Sequence, residues 1–302
     1  MLAIRRTDRD PAKGHTCLGE SGGIRMTINR RSLITVLAAG SGLMALPFVA
    51  RAEGTLEEVK KRGTFRVGVT QAPPWFSKDL KTGEWSSGLG ISMGKAMAQA
   101  LGAKMETVEV SWGNSIAALQ GDKIDIMFTI DATPERKQAV DFPTSPLLYY
   151  SLAVLARDDL DAKAWEDLNK PGVRIAVPQA SSMDRFVSEH TPKADIQRFP
   201  DNAAAIAAFQ SGRVDAVCLF HPPLLAARQK LGKGKIVVPM PAQSQASSTA
   251  LRKGDTEFVA WVDKQLAEYY KSGQTQKWYE QALADFGLDP KLAPPIMKEM
   301  LK

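Results

Sequence analysis

The spacing of hydrophobic residues along this chain alternates between the period of a β-strand and that of an α-helix, which predicts alternating strands and helices. Residues 65–69 alternate towards one apolar face, and residues 124–129 form a short, mainly apolar run that is typical of a buried strand. A helix with one apolar face is predicted where large hydrophobic residues recur at every fourth position, at Leu89, Met93, Met97 and Leu101. The pattern therefore indicates an α/β protein.

The pattern also repeats within the chain. Residues 116–125 recur as residues 206–215, each time as a helix, a glycine turn and a buried strand. Residues 173–177 repeat the pattern of the opening strand at residues 65–69. Two lobes of like construction account for this repeat, and a chance match of a common helix–strand unit is the alternative.

Two strand-like segments are predicted to connect the lobes, at residues 149–157 and 243–252. Two crossings mean that the second lobe is inserted into the first. We expect lobe 1 to comprise residues 53–149 and 246–302, and lobe 2 to comprise residues 150–245. The chain would return to lobe 1 through a helix over residues 256–283, whose apolar positions form a packing face.

Candidate binding residues follow the buried strand of lobe 1. Thr133 and Pro134 suit the start of a helix, which brings Arg136, Asp131 and Thr129 into one small volume at the tip of that strand. Ligands of open α/β sheets bind outside the carboxyl ends of strands, and an Arg fork there matches a carboxylate. A surface ion pair of Arg136 with a nearby acid, Glu135 or Asp141, is the alternative.

Further candidates lie at the corresponding loops. By the internal repeat, the strand tip that carries Phe220 and His221 faces the tip that carries Asp131. Ser181 and Ser182 precede a helix and offer hydroxyl and N–H donors to an anion, although simple capping is equally compatible. On the loop after the first strand, Trp75 and Phe76 are candidates to face the site, and a core position for each ring is the alternative.

The first fifty residues have the pattern of an export leader. A basic stretch precedes an apolar run at residues 33–49 and the small-residue site Ala50-Arg51-Ala52. We expect an N-terminal extension over residues 1–25, which need not be translated, and a signal peptide over residues 26–52, cleaved near Ala52. The pair Arg30 and Arg31 is compatible with general or twin-arginine export. An uncleaved anchor is the alternative, and the mature protein would be periplasmic.

The leader also carries most of the charge. The full chain has 39 Lys and Arg against 33 Asp and Glu, and residues 1–52 hold eight of the former and three of the latter, which leaves 31 and 30. A mature chain of net charge +1 offers no support for a nucleic-acid partner. Cys218 is the one cysteine after the leader, so no intrachain disulfide is expected there. No metal site and no cofactor is predicted.

With these residues in place, the chain resembles the periplasmic amino-acid-binding proteins of ABC importers, solute-binding protein family 3. The resemblance rests on FRVGV, PPW, SWGNSIAALQGDKIDIMF, TPERKQAVDF, IAVPQASS and SGRVDAV, which together span the mature chain. It implies a two-lobe periplasmic-binding-protein fold of type II, with a two-strand hinge and a ligand cleft between the lobes. It also implies that Arg136 binds a ligand carboxylate with help from Ser181 and Ser182, and that Trp112 and Trp75 form two walls.

The chain departs from the family at the position that holds a ligand ammonium. The acid that usually follows the DAV strand is replaced by Phe220, and Asp131 stands where a Thr or Ser is usual. If the ligand is zwitterionic, Asp131 is expected to take over the ammonium, with Arg136 favouring its charged form. The alternative is that Asp131 braces Arg136 and the ligand is a simple carboxylate recognised by Phe220 and the rings of Trp75 and Trp112.

The resemblance implies a receptor rather than an enzyme. We expect a monomeric periplasmic protein that closes on a small carboxylated ligand, an amino acid or a derivative, and delivers it to an inner-membrane ABC permease. One alternative is an enzyme similar to cyclohexadienyl dehydratase, in which Asp131 or His221 would act as acid or base. A second alternative is an accessory or sensor binding module.

Overall fold

The structure, a computed structural model, describes residues 54–79 and 81–300. The predicted extension, the signal peptide and Cys17 lie outside these residues. The strands are β1 Thr64–Val69, β2 Ser77–Lys78, β3 Trp85–Ser87, β4 Lys104–Glu109, β5 Ile126–Ile130, β6 Val140–Asp141, β7 Leu148–Ala156, β8 Arg174–Pro178, β9 Asp195–Phe199, β10 Ala216–Phe220, β11 Lys235–Val237 and β12 Ser244–Arg252.

The helices alternate with these strands as the pattern predicts. They are α1 Thr55–Arg62, α2 Leu89–Ala100, α3 Ser115–Gln120, α4 Pro134–Ala139, α5 Trp165–Leu168, α6 Ser182–His190, α7 Asn202–Gln210, α8 His221–Leu231, α9 Thr256–Lys271 and α10 Gln274–Asp285, with short 3₁₀ turns at Pro290–Leu292 and Lys298–Met300. No described helix is long and apolar enough to cross a membrane.

The main sheet has two halves of matching order. Its strands run β4-β1-β5-β12-β7-β10-β8-β9, with β6 and β11 added at the sides. In the first half, β1 lies parallel to β4 and β5, and in the second half β8 lies parallel to β9 and β10. From the centre outwards, the parallel strands follow in the order β5, β1, β4 in the first half and β10, β8, β9 in the second half. In both halves the last of the three strands along the chain lies innermost and the first lies in the middle, as expected for two lobes of like construction.

Two nine-residue strands join the lobes. Strand β12 pairs with β7 along Ser244–Ser247 and then with β5 along Ser248–Leu251, while β7 continues from β12 to pair with β10. Both crossings fall within the segments that the sequence predicts for the hinge. The proposed lobe limits at 149/150 and 245/246 remain a prediction.

The internal repeat is also visible in one buried ion pair that occurs twice. Asp125, just before β5, accepts a hydrogen bond from the backbone of Arg66 on β1 at 2.7 Å and pairs with its guanidinium at 2.7 Å. Asp215, just before β10, makes the same contacts with Arg174 on β8 at 2.9 and 2.7 Å. In each lobe an aspartate therefore ties the start of the central strand to its neighbour.

The cores lie on both faces of the sheet. Every residue of β5 and of β10 is buried, as is typical of strands covered on both faces. Met93 and Met97 on α2 are fully buried against the first half of the sheet. The C-terminal segment differs from the single predicted helix, because Gly273 adopts a φ of 75° and separates α9 from α10.

Candidate functional site

A small cavity, with a free volume of about 20 Å³, lies between the carboxyl-terminal ends of β5 and β10. This is the position at which open α/β sheets bind ligands. Residues of both lobes line it: Trp75, Trp112, Thr129, Asp131, Arg136, Tyr150, Ser181, Ser182, Met183, Asn202, Phe220 and Pro223. The structure therefore brings together eight of the ten residues that the sequence analysis names.

Arg136 reaches this cavity from the first turn of α4. Thr133 caps the helix by accepting a hydrogen bond from the Arg136 amide at 3.3 Å, and Pro134 occupies the first helical position. The guanidinium Nη1 donates to the carbonyl oxygen of Asp131 at 3.1 Å, and Nη2 donates across the cleft to the carbonyl oxygen of Ala180 at 3.3 Å. Arg136 is thus held by neutral acceptors with its charge directed at the cleft.

The alternative ion pair of Arg136 with Glu135 or Asp141 is not formed. Asp141 instead accepts from Lys253 Nζ at 2.7 Å and from the Gly254 amide at 2.7 Å. Burial lowers the pKa of Arg136, which means that its charge is stabilised less well than in water. A ligand anion would restore that stabilisation.

Asp131 is buried at the tip of β5 with its carboxyl group inside the cavity. Its Oδ1 accepts a hydrogen bond from the Tyr150 hydroxyl at 2.5 Å, and its Oδ2 accepts one from the Ser182 hydroxyl of the other lobe. Burial raises the pKa of Asp131 despite these hydrogen bonds and the charge of Arg136. The expectation that Arg136 would favour the charged form overlooked desolvation, which is the larger effect.

Tyr150 is a site residue that the sequence analysis did not identify. It lies on the crossing strand β7, and its ring stacks on Phe220 of β10, with ring centroids 3.5 Å apart and planes 13° apart. Burial and the negative charge of Asp131 both raise the pKa of Tyr150, so its hydroxyl remains a donor. Tyr150 therefore joins the acid of one lobe to the aromatic strand tip of the other.

Two tryptophans complete the aromatic walls. Trp75 packs edge-on against Tyr150 at 6.0 Å and stacks on Tyr279 at 5.9 Å. The Trp112 indole Nε1 donates to Asn202 Oδ1 at 3.0 Å, a hydrogen bond that connects lobe 1 to the first residue of α7 in lobe 2. This contact fixes the orientation of the indole ring.

Phe76 and His221 do not line the cavity. Phe76 is fully buried, tilted against Trp112 at 6.4 Å, in space that exists because Gly90 has no side chain: a Cβ there would lie 2.2 Å from the Phe76 ring. Of the two rings on this loop, Trp75 is therefore the one at the site. His221 is the first residue of α8, and burial lowers the pKa of its imidazole.

The serines have separate roles in this structure. Ser181 caps α6: its hydroxyl accepts from the Asp184 amide at 3.1 Å and donates to the carbonyl oxygen of Pro178 at 2.6 Å. Ser182 instead donates to Asp131 across the cleft. Only Ser182 thus directs its hydroxyl towards the other lobe.

Two of the three non-glycine residues with a positive φ in the described part of the chain lie at this cavity or next to it. Thr129 and Ala180 adopt φ angles of 54° and 55°, in the left-handed region that residues with a Cβ seldom occupy. The Thr129 hydroxyl donates to the carbonyl oxygen of Phe128 at 2.8 Å, and the Ala180 carbonyl oxygen accepts from Arg136. Such strain is typical of ligand clamps.

Residues 65–285 match the bacterial extracellular solute-binding proteins, family 3. The chain belongs to this family. It is 25% identical over 261 residues to the L-cystine-binding protein TcyJ of Escherichia coli strain K12, across 83% of this chain and 96% of that relative. It is 25% identical over 265 residues to the cyclohexadienyl dehydratase of Pseudomonas aeruginosa, across 84% and 94% of the two chains.

A solved structure is more similar in sequence than these two relatives. An ancestral amino acid-binding protein, described as a precursor of cyclohexadienyl dehydratase, shares 38% identity with a TM-score of 0.68, over 75% of this chain and 98% of its own. The resemblance to solute-binding protein family 3 and the two-lobe binding-protein fold are thereby confirmed for this family 3 protein. Its relatives include both binding proteins and an enzyme.

Proposed function

We propose that this family 3 protein is a periplasmic receptor that closes on a small carboxylated ligand, an amino acid or a derivative of one, and delivers it to an ABC permease. The observation that carries the proposal is the position of Arg136, whose guanidinium enters a cavity between two lobes and bonds only neutral carbonyl oxygens. A planar guanidinium in that setting suits a bidentate pair with a carboxylate.

The direct contacts between the lobes support closure as the binding motion. Asp131 with Ser182, Arg136 with Ala180 and Trp112 with Asn202 each join one lobe to the other around the cavity. A ligand that also touches both lobes would add to these contacts and favour the closed form. The closed form is the one that we expect a permease to recognise.

Native mass spectrometry of the mature chain tests this proposal. The protein would be purified without refolding, and the mass of any retained small molecule would be measured before and after denaturation. We expect a retained acid, and we expect Arg136→Ala protein prepared in the same way to have lost it. Lys137→Ala, which removes an exposed cation from the same helix, is the control and should retain the acid. Equal retention by Arg136→Ala would refute the assignment.

A dehydratase is the second candidate function, because the buried Asp131 has a raised pKa that suits a proton donor. His221, the other acid or base considered, does not line the cavity. Incubation with a cyclohexadienyl carboxylate, followed by the absorbance of an aromatic product, tests this activity. Turnover that is lost in Asp131→Asn would favour the enzyme, whereas simple reversible binding would favour the receptor.

A further inference from the structure

A second and larger groove lies between the two lobes. Its free volume is about 500 Å³, which falls in the range of small-molecule sites. Helices α7 and α8 form its wall in lobe 2, and the loop after β1, strand β2 and the residue after α10 form its wall in lobe 1. Its lining residues are Gln71, Pro73, Ser77, Lys78, Asn202, Ala203, Ile206, Ala207, Gln210, Pro223, Ala226, Ala227, Gln229, Lys230, Leu231 and Phe286.

This groove adjoins the cavity that contains Arg136. Asn202 and Pro223 line both spaces. The cavity itself has a free volume of about 20 Å³ in this conformation, which is enough for one water molecule but not for an amino acid. A ligand whose carboxylate binds Arg136 therefore needs further space next to the cavity for its remaining atoms.

Two spaces that adjoin the cavity differ in polarity. A space of about 300 Å³ that shares Arg136 with the cavity is lined by eight residues, of which only Ala180 is apolar. The groove instead has aliphatic and aromatic surface, at Ile206, Leu231 and Phe286 and at several alanines. Because burial of apolar surface is favourable, the carbon chain of a ligand would extend into the groove rather than into the polar space.

The charged side chains that line the groove are all positive. None of its sixteen lining residues is an Asp or a Glu, whereas Lys78 of lobe 1 and Lys230 of lobe 2 are both among them. Lys230 is exposed, and no acid of the described residues forms an ion pair with it. Lys78 Nζ lies over the Trp85 ring and pairs with Glu109 at 2.9 Å, but the Glu109 side chain is 64% exposed, and a pair so accessible to water is weak. One lysine of each lobe is therefore available to a ligand.

The remaining polar side chains of the groove carry no charge that would offset these lysines. They are four amides and one hydroxyl. Gln71 Oε1 accepts from the Lys78 amide at 3.1 Å, and Gln229 Nε2 donates to the carbonyl oxygen of Gly287 at 2.9 Å, which joins α8 to the segment after α10. A cationic group in the groove would meet no carboxylate, whereas an anionic group would meet two ammonium groups.

We propose that this groove is a second ligand subsite, which holds an acidic group at the far end of an elongated ligand whose first carboxylate binds Arg136. The ligand is then a dicarboxylic compound with an apolar chain between its two acid groups. The inference rests on the receptor function proposed above and specifies its ligand class. Lys78 and Lys230 belong to different lobes, so an anion that contacts both also favours closure.

Calorimetric titration of the mature protein with matched compounds tests this inference. L-2-aminoadipate, L-norleucine and L-lysine share one head group and chain length and end in a carboxylate, a methyl group and an ammonium. Their eight-carbon counterparts extend the chain, and adipate against hexanoate repeats the comparison without the amine. We expect the acidic chain end to bind at least about fivefold more tightly than the neutral one and more tightly still than the cationic one. High salt should reduce this preference.

Substitution of the two lysines tests the mechanism. Lys230→Ala should reduce the preference for the acidic chain end by about three- to fivefold, Lys78→Ala should have an effect of the same sign, and Lys230→Arg should retain the preference. Lys193→Ala is the matched control, because it removes an exposed lysine of lobe 2 that lines neither the cavity nor the groove. The control should leave the preference unchanged.

The outcomes separate the inference from the function on which it rests. A neutral or cationic chain end that binds as tightly as the acidic one would overturn the inference and leave the receptor proposal intact. The same holds for a preference that persists in both Lys78→Ala and Lys230→Ala. Failure of every carboxylate in the panel to bind would overturn the receptor proposal for carboxylates and the inference with it.

Discussion

Arg136→Ala is the substitution that separates the proposed site from an ordinary surface arginine. The native guanidinium is half-buried and makes two hydrogen bonds, of 3.1 Å to the Asp131 carbonyl and 3.3 Å to the Ala180 carbonyl. Both distances are longer than those of charge-assisted pairs, so the guanidinium forms only weak hydrogen bonds with the protein itself. Its removal should therefore reduce the free energy of ligand binding more than the free energy of unfolding.

The two effects differ in size. Two hydrogen bonds to neutral carbonyls correspond to a loss of about 1 to 3 kcal/mol in the free energy of unfolding. A ligand carboxylate left without its bidentate partner loses about 2 to 5 kcal/mol of binding free energy, equivalent to a rise of roughly 30-fold to several thousand-fold in Kd. Arg136→Lys should also bind poorly, because an ammonium cannot reproduce the fork.

Isothermal titration of the retained ligand against wild type, Arg136→Ala and Lys137→Ala provides the measurement. Urea denaturation of the same samples reports the stability change separately. We expect Lys137→Ala to match wild type in both. An alanine variant at Arg136 whose Kd stays within twofold of wild type would refute the reasoning and place the carboxylate site elsewhere.

Three other properties follow from the same geometry. A Cβ at Gly113 would lie 3.2 Å from Ala180 Cβ across the cleft, so Gly113→Val should hold the lobes apart, raise Kd about tenfold or more, and leave the ligand-bound radius of gyration measured by X-ray scattering larger than in wild type; unchanged affinity would contradict this. Burial raises the pKa of Asp131, so the folded state binds this proton more tightly than the unfolded chain does. Ionisation of Asp131 therefore lowers the free energy of unfolding; this loss is zero below the unfolded pKa of 3.8 and reaches its full size above the raised pKa of the folded state. Asp131→Asn should therefore raise the melting temperature at pH 7, with the gain shrinking towards pH 4; a variant less stable at every pH would argue against it. Cys218 is fully buried and burial raises the pKa of its thiol, so an aromatic disulfide reagent should label the mature protein only after unfolding, and rapid labelling of the native protein would show that β10 opens.

The elements that the sequence predicts well are those with strong local signals. The strand predicted over residues 124–129 is found as Ile126–Ile130, where the apolar residues that follow Asp125 are buried on both faces of the sheet. Thr133 and Pro134 begin a helix where capping chemistry predicts one. The internal repeat correctly places the tips of β5 and β10 at one cavity.

The remaining parts of the site depend on contacts between distant segments. Tyr150 reaches Asp131 because of the register of β7 where it passes between the two halves of the main sheet, and nothing in the local pattern at residues 148–151 indicates which face is inward. The sequence around Asn202 indicates only the start of a helix, and its hydrogen-bond donor, Trp112, lies 90 residues away in the chain. The choice of Trp75 over Phe76 is made by Gly90 on another element.

The shared strands β7 and β12 have a thermodynamic consequence for the two lobes. Each strand contributes to the hydrogen-bonded ladders of both halves, so neither half can lose its central strands without exposing the edge of the other. Two cores joined in this way should melt as one cooperative unit, with a single calorimetric transition. We expect that bending of these strands would open the cleft with the ladders still paired, so that a ligand could exchange without local unfolding of the chain.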